Sequence, residues 1–135
     1  MSESAEPERT KILIADDDPE ILAILRRRLR DVGYQTIEAD DGEKALLLAR
    51  AHSPDLVILD VMMPKKNGWE VARELRGDPL LSDIGILVLS AIGERVNELT
   101  SPLYGVDGYL DKPFEFAVLD NKIADILVKR KTRRR

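Results

Sequence analysis

The chain has 135 residues, of which 44% are hydrophobic and 34% charged, a size and balance typical of one globular domain with a substantial core. It contains no cysteine and a single histidine, His52, which excludes disulfides, thiolate metal sites, cysteine nucleophiles and histidine-based triads. The net charge of −4 combines an acidic body with a basic end, because the last seven residues carry six basic side chains; the body is therefore a poor candidate for binding nucleic acid.

The N-terminal part of the sequence predicts a leader, a strand and a helix. Residues 1–10 are polar and acidic and lack the apolar stretch of a secretory signal, so we expect a disordered leader. A strand over residues 11–15 precedes Asp18 and Pro19, the residue types of a helix N-cap and first turn. Apolar residues then recur at spacings of three and four, and Gly33 is expected to end this helix.

The rest of the chain continues this alternation of strands and helices. We predict strands over about residues 35–39, 55–59, 84–89 and 108–110, and helices over about residues 42–52, 69–76, 94–100 and 114–129. The segment 94–100 has the least regular pattern and is followed by Pro102. Strands that alternate with helices predict an α/β fold in which helices cover both faces of a parallel sheet.

Polar side chains stand where the apolar strands end. Asp16 and Asp17 follow the first predicted strand, Asp60 the third, Ser90 the fourth, and Lys112 comes shortly after the fifth. The carboxyl ends of parallel strands share one edge of the sheet, and ligands of such folds bind at that edge. We therefore expect these five side chains to form one site.

The residue types of this edge suit a metal ion and a phosphoryl group. Two carboxylates about 4 Å apart repel by roughly 4 kcal/mol at an effective dielectric near 20, and a cation relieves that repulsion. Oxygen ligands without histidine or cysteine favour Mg²⁺, which also accepts a phosphate oxygen. A carboxylate can act as nucleophile toward phosphorus, while Lys112 and Ser90 offer an ammonium and a hydroxyl to the phosphoryl oxygens.

Several motifs, taken in order, resemble the receiver domain of two-component response regulators over residues 11–129. They are Ile14-Ala15-Asp16-Asp17-Asp18-Pro19, Val57-Ile58-Leu59-Asp60-Val61-Met62-Met63-Pro64, Asn67-Gly68, Ser90-Ala91 and Tyr109-Leu110-Asp111-Lys112-Pro113-Phe114. The resemblance implies a flavodoxin-like (βα)5 doubly wound parallel sheet with strand order 2-1-3-4-5. We expect a leader over 1–10, the receiver domain over 11–128 and a basic tail over 129–135.

The resemblance also implies a phosphorylation site and its metal ligands. Asp60 would be the phosphoacceptor. Mg²⁺, with Mn²⁺ as a substitute, would be bound by the carboxylates of Asp16, Asp17 and Asp60. The backbone carbonyl of Met62 would be a further ligand of the same ion.

A switch and a lifetime are implied by the positions around this site. Ser90 would be the switch hydroxyl, Lys112 the phosphate-contacting lysine and Tyr109 the aromatic residue that changes rotamer. A polar side chain two residues after the phosphoacceptor, or two after the switch hydroxyl, could hold the water that hydrolyses the acyl phosphate. Those positions are Met62 and Ile92, which offer no useful hydrogen bond; we therefore expect slow self-dephosphorylation.

Three classes of function compete for this set of residues. The preferred one is a signalling receiver, not an enzyme beyond its own phosphorylation and dephosphorylation, that is phosphorylated by a histidine kinase or histidine phosphotransfer protein. It would signal through the fourth helix, fifth strand and last helix to a downstream protein or a missing effector domain. A small magnesium-dependent phosphatase with an aspartate nucleophile fits the spacing of Asp16 and Asp18 but leaves Asp60 without a role. A phosphorylation-independent adaptor would not require such costly clustered charge.

The expected location is the cytoplasm, without a membrane partner. The absence of cysteine suits that compartment, and the longest apolar runs have five residues, far fewer than a membrane span requires. We interpret the basic tail over 129–135 as a helix end or a linker rather than as a nucleic-acid contact.

Overall fold

The computed structural model of the chain describes residues 10–91 and 105–133. Within these ranges the strands are β1 (Lys11–Ala15), β2 (Gln35–Ala39), β3 (Leu56–Asp60), β4 (Gly85–Ser90) and β5 (Gly108–Asp111), and the helices are α1 (Pro19–Val32), α2 (Gly42–His52), α3 (Gly68–Gly77) and α4 (Phe116–Arg133). The helix predicted near 94–100, together with Pro102 and Ile92, lies outside the described residues. None of the helices described has the length and apolar character needed to cross a membrane.

The five strands form one parallel sheet in the order β2-β1-β3-β4-β5. This confirms the predicted flavodoxin-like architecture and strand order. The direction of chain progression reverses between β1 and β3, and in open α/β sheets the crevice at this point is where ligands bind. The carboxyl ends of β1 and β3 are therefore the first place to look for a site.

Two apolar layers hold the helices on the sheet. In β1, Leu13 belongs to the cluster that packs under α2 and α3, whereas Ile14 belongs to the cluster under α1 and α4. Successive strand residues point to opposite faces, so an unbroken apolar strand serves both layers. All residues of β3 and β4 are buried, and each large aliphatic side chain buried in this way contributes about 1.5–3 kcal/mol.

Most helix ends follow from capping residues that the sequence displays. Asp18 caps α1 by accepting a hydrogen bond from the Glu20 N–H at 2.9 Å. Gly33 adopts a left-handed conformation with φ of 116° and donates its N–H to the carbonyls of Leu29 and Arg30. A glycine reaches that conformation without steric cost, so the predicted start and stop of α1 are both confirmed.

Several element boundaries differ by one or more residues from the sequence-based prediction. The strands β3 and β4 each begin and end one residue later than predicted, so that Asp60 and Ser90 are the last residues of their strands. The helix α4 continues to Arg133 rather than ending near residue 129. Its last turns contact the body, because Arg130 pairs with Asp55 at 2.9 Å and the Lys129 ammonium donates to the Asp107 carbonyl at 3.3 Å.

Candidate functional site

Asp16 is fixed directly after β1 by its own backbone and side chain. It is fully buried, and its N–H donates to the Ala39 carbonyl of the neighbouring strand at 3.1 Å. One carboxylate oxygen, Oδ1, accepts the Asp18 N–H at 2.9 Å. The other oxygen is thereby directed toward the sheet edge, while the adjacent Asp17 is exposed.

Asp60 is the last residue of β3, and contacts of the chain that follows it fix its position. Its residue exposure is 5%. The following residue, Val61, donates its N–H to the Leu89 carbonyl at 3.0 Å and accepts the Gly68 N–H at 3.0 Å. A Cβ on Gly68 would lie 2.6 Å from the Asp60 carbonyl oxygen. Only glycine fits there, which gives the predicted Asn67-Gly68 motif a physical role in positioning Asp60.

Lys112 joins the two buried carboxylates. Its Nζ lies 2.9 Å from Asp16 Oδ2 and 3.1 Å from Asp60 Oδ1. Its backbone N–H donates to the Ser90 carbonyl at 2.9 Å, so β4 and β5 together place the ammonium group. The structure thus brings the side chains of Asp16, Asp60 and Lys112 together at the predicted edge, with the backbone of Ser90 beside them.

Burial and mutual repulsion shape the charges of the site. Burial, reinforced by the negative charge of Asp16, raises the pKa of Asp60, and the nearby Lys112 only partly offsets this. Burial alone would lower the pKa of Lys112, but the hydrogen bond to Asp16 and the charge of Asp60 outweigh it and raise that pKa. The Lys112 ammonium therefore stays charged, and any further cation nearby would stabilise the ionised form of Asp60.

The three carboxylates fit a divalent metal ion. One oxygen each from Asp16, Asp17 and Asp60 lies within 4.8 Å of the other two. Three carboxylates against the single ammonium of Lys112 leave a charge of −3 + 1 = −2 on this group. An all-oxygen set with one exposed member suits Mg²⁺, which keeps several of its waters. The Met62 backbone carbonyl remains a predicted ligand, and the residue as a whole is 70% exposed.

The predicted switch residues occupy β4 and β5. Ser90 is fully buried at the carboxyl end of β4, one position beyond the Leu89 that pairs with Asp60. Tyr109 pairs with Val88 and is partly exposed, and the Lys122 ammonium lies 5.2 Å from the centre of its ring. The backbone thus places Ser90 at the same edge as Asp60, whereas Ile92 lies beyond the described residues.

The loop after Asp60 has features that the sequence did not predict. It lies against the start of α2, where a Cβ on Gly42 would come within 2.1 Å of the Lys66 carbonyl oxygen. Lys65 in this loop adopts a left-handed conformation with φ of 72°. In the separate loop that follows β5, the Lys112–Pro113 peptide is cis. In the sequence, the only sign of this close approach is the glycine at position 42, which by itself indicates only the start of a helix.

Comparison of the sequence with known proteins gives one consistent family. A family model for the response regulator receiver domain matches residues 12–124. The probable transcriptional regulator ycf27 of Pyropia yezoensis is 43% identical over 122 residues, which cover 90% of this chain and 49% of the relative. The alkaline phosphatase synthesis transcriptional regulatory protein PhoP of Bacillus subtilis is 39% identical over 117 residues, covering 87% and 48%. The chain thus spans about half the length of these curated relatives.

Solved structures with the same fold agree with that family. A putative response regulator from Chloroflexus aurantiacus superposes with a TM-score of 0.84 at 34% identity, covering 88% of this chain and 98% of its own. The receiver domain of the sensor histidine kinase PA1611 from Pseudomonas aeruginosa superposes with a TM-score of 0.80 at 25% identity, covering 87% and 97%. That domain has a magnesium ion coordinated in its active-site cleft.

Proposed function

Because the chain belongs to the response regulator receiver domain family, we propose that it is a signalling module switched by phosphorylation of Asp60. Receiver domains are signalling proteins of two-component systems rather than classical enzymes. The phosphoryl donor is a histidine kinase or a histidine phosphotransfer protein. The observation that carries this proposal is the placement of Asp60 within a three-carboxylate cluster and 3.1 Å from the Lys112 ammonium.

The chemistry is an in-line transfer between two side chains. An Asp60 carboxylate oxygen attacks the phosphorus atom of a donor phosphohistidine whose other ring nitrogen carries a proton. The nitrogen–phosphorus bond breaks, its electron pair stays on the ring, and an acyl phosphate and a neutral imidazole result. When bound, Mg²⁺ offsets the negative charge of the carboxylates and the incoming phosphoryl oxygens. Lys112 then exchanges its contact with Asp60 for one with a phosphoryl oxygen, and the Ser90 hydroxyl donates to another.

The output is a change of surface around β5 and α4. A new charge-assisted hydrogen bond draws the Ser90 hydroxyl toward the phosphoryl group, and the space left behind admits the ring of Tyr109. The altered surface binds a downstream protein or an effector domain in the cytoplasm. The basic residues 129–135 are a helix end or linker in this proposal.

Intact-mass measurement tests the proposal directly. Incubation with acetyl phosphate and Mg²⁺ is expected to add one phosphate that alkali removes, as an acyl phosphate requires, and chelation of Mg²⁺ should prevent the addition. An alkali-stable phosphate would place the modification on a hydroxyl instead. Multiple turnovers on a small phosphate ester would favour the aspartate-nucleophile phosphatase, and specific partner binding without any phosphorylation would favour the adaptor.

Metal binding should respond in opposite ways to two substitutions. Asp17→Ala removes an anionic ligand and is expected to weaken Mg²⁺ affinity by about tenfold or more, whereas Lys112→Ala removes a competing cation and should leave affinity unchanged or higher. The pKa of Asp60 is raised by burial and by Asp16. As the pH is lowered, Mg²⁺ affinity should therefore begin to fall at a higher pH than for a site built from ordinary carboxylates. Calorimetric titration measures all three, with the exposed Asp125→Ala as control.

A loss of metal affinity in Lys112→Ala would contradict the position assigned to that ammonium. The pH dependence provides a separate check, because protonation of Asp60 removes a ligand charge.

The phosphorylated form is expected to be long-lived. Hydrolysis needs a water aligned with the phosphorus atom, and neither Met62 nor Ile92 offers a side chain that can hold one. Combining Met62→Asn with Ile92→Glu should accelerate loss of the phosphate by about tenfold or more, followed by intact mass after removal of the donor. Met62→Leu is the matched control. A wild-type lifetime of seconds would contradict this explanation, as would an unchanged rate in the double variant.

A further inference from the structure

A lysine of α4 lies over the ring of the predicted switch residue. The Nζ atom of Lys122 is 5.2 Å from the centre of the Tyr109 ring, within the range of an attractive contact between a cation and an aromatic face. Both side chains line an open cavity of about 430 Å³ at β5 and the start of α4, together with Pro113, Phe114 and Val118.

The packing of α4 fixes the backbone from which the Lys122 side chain extends. Its neighbours Leu119 and Ile123 are fully buried against the sheet, so the helix cannot rotate without losing core contacts. In the part of the chain that the structure describes, no carboxylate approaches the Lys122 ammonium within the 4.0 Å of an ion pair. The ring is thus the close partner of this charge.

The backbone of β5 also gives the ring an alternative position. Tyr109 pairs with Val88, so its side chain leaves the sheet on the same face as Val88 and, two residues further, Ser90. Because β5 is an edge strand, the ring can reach outward past the edge to α4. The observed position contacts Lys122, and the one that the proposed function requires would lie beside the buried Ser90.

We propose that Lys122 holds Tyr109 in its outer position and thereby sets the threshold of the switch. This inference rests on the proposed function, since it requires the ring to turn inward when Asp60 carries a phosphoryl group. The contact exists only in the outer state, and an interaction present in one state alone shifts the equilibrium toward that state. By linkage, the same contact weakens the binding at Asp60 of any group that favours the inner state.

Removal of the Lys122 ammonium should therefore shift the equilibrium of the switch toward the inner state. Beryllofluoride with Mg²⁺ serves as the probe, because it mimics a phosphoryl group on a carboxylate. Lys122→Met keeps an apolar chain of similar length and is expected to lower the half-saturating concentration by about two- to five-fold. Lys122→Arg keeps the cation and should behave as the wild type, and Lys131→Met tests an exposed lysine elsewhere on α4.

A double-mutant cycle separates the ring from other effects of the charge. Asp111 and Glu115 line the same cavity, and their electrostatic environment also changes in Lys122→Met. If the ring mediates the effect, Lys122→Met should change nothing in a Tyr109→Leu background. An equal shift in that background would overturn the proposal and assign the effect to the cavity carboxylates.

The state of the ring can be observed by fluorine NMR of protein containing fluorotyrosine. The chain has three tyrosines, and Tyr109→Phe identifies the signal of interest. Lys122→Met should move that signal toward its beryllofluoride-bound position before any probe is added. An unmoved signal and an unchanged titration, with normal phosphorylation of Asp60, would overturn the role of Lys122 and leave the proposed function standing. Absence of phosphorylation by intact mass would instead overturn both.

Discussion

Asp60→Asn is expected to abolish phosphorylation by acetyl phosphate and Mg²⁺. The amide is a poor nucleophile, and the substitution also removes one of three carboxylates that can bind the metal. Intact mass should show no added phosphate under conditions that load the wild type, whereas the exposed Asp125→Asn should load normally. Phosphorylation of Asp60→Asn at the wild-type rate would show that the nucleophile is Asp16 or Asp17 instead.

The same substitution should not unfold the protein. Burial and the charge of Asp16 raise the pKa of Asp60 above its ordinary 3.8. A carboxyl whose pKa is raised by folding favours the folded state when protonated and loses that advantage as the pH rises through the folded pKa. The neutral amide avoids this cost, so the free energy of unfolding at pH 7 should equal or exceed that of the wild type. The difference should shrink in acid, which chemical denaturation followed by Trp69 fluorescence can measure.

Arg76→Ala is expected to cause the largest loss of stability among the substitutions considered. The Arg76 guanidinium, at the end of α3, donates to the carbonyls of Gly105 at 2.8 Å, Ser82 at 3.0 Å and Ile84 at 2.6 Å. It also pairs with the Asp107 carboxylate at 2.9 Å. A planar group with five donors makes all these contacts at once, and no other side chain type can replace it.

The cost of this substitution comes from the groups left behind. The Asp107 side chain is only 10% exposed, and breaking a largely buried pair by removing one partner typically costs about 3 kcal/mol or more. Asp107 also accepts the Ile86 N–H at 2.8 Å, so the starts of β4 and β5 are affected together. Urea denaturation should show the loss, while Arg27→Ala on the exposed face of α1 should change stability by less than about 0.5 kcal/mol. A loss that small for Arg76→Ala would mean that water replaces the guanidinium.

Local features of the fold could be predicted because their causes lie close together in the chain. The cap formed by Asp18 and the left-handed stop at Gly33 involve residues within four positions. Strand order was predicted from the resemblance to a family, whereas the shift of β3 and β4 by one residue depended on pairing with neighbouring strands. The candidate site was predictable in outline because Asp16, Asp60 and Ser90 each mark the carboxyl end of a strand.

The sequence by itself determined the alternation of elements, the apolar strands and the residue types gathered at one edge of the sheet. Only the tertiary structure decided that one ammonium bridges Asp16 and Asp60 across 96 and 52 positions of chain. It also decided that Arg76 joins the starts of two strands and that Lys122 lies over Tyr109. Such contacts depend on distances of a few ångström between elements remote in sequence, and these distances are set by the packing of the whole core rather than by any local pattern.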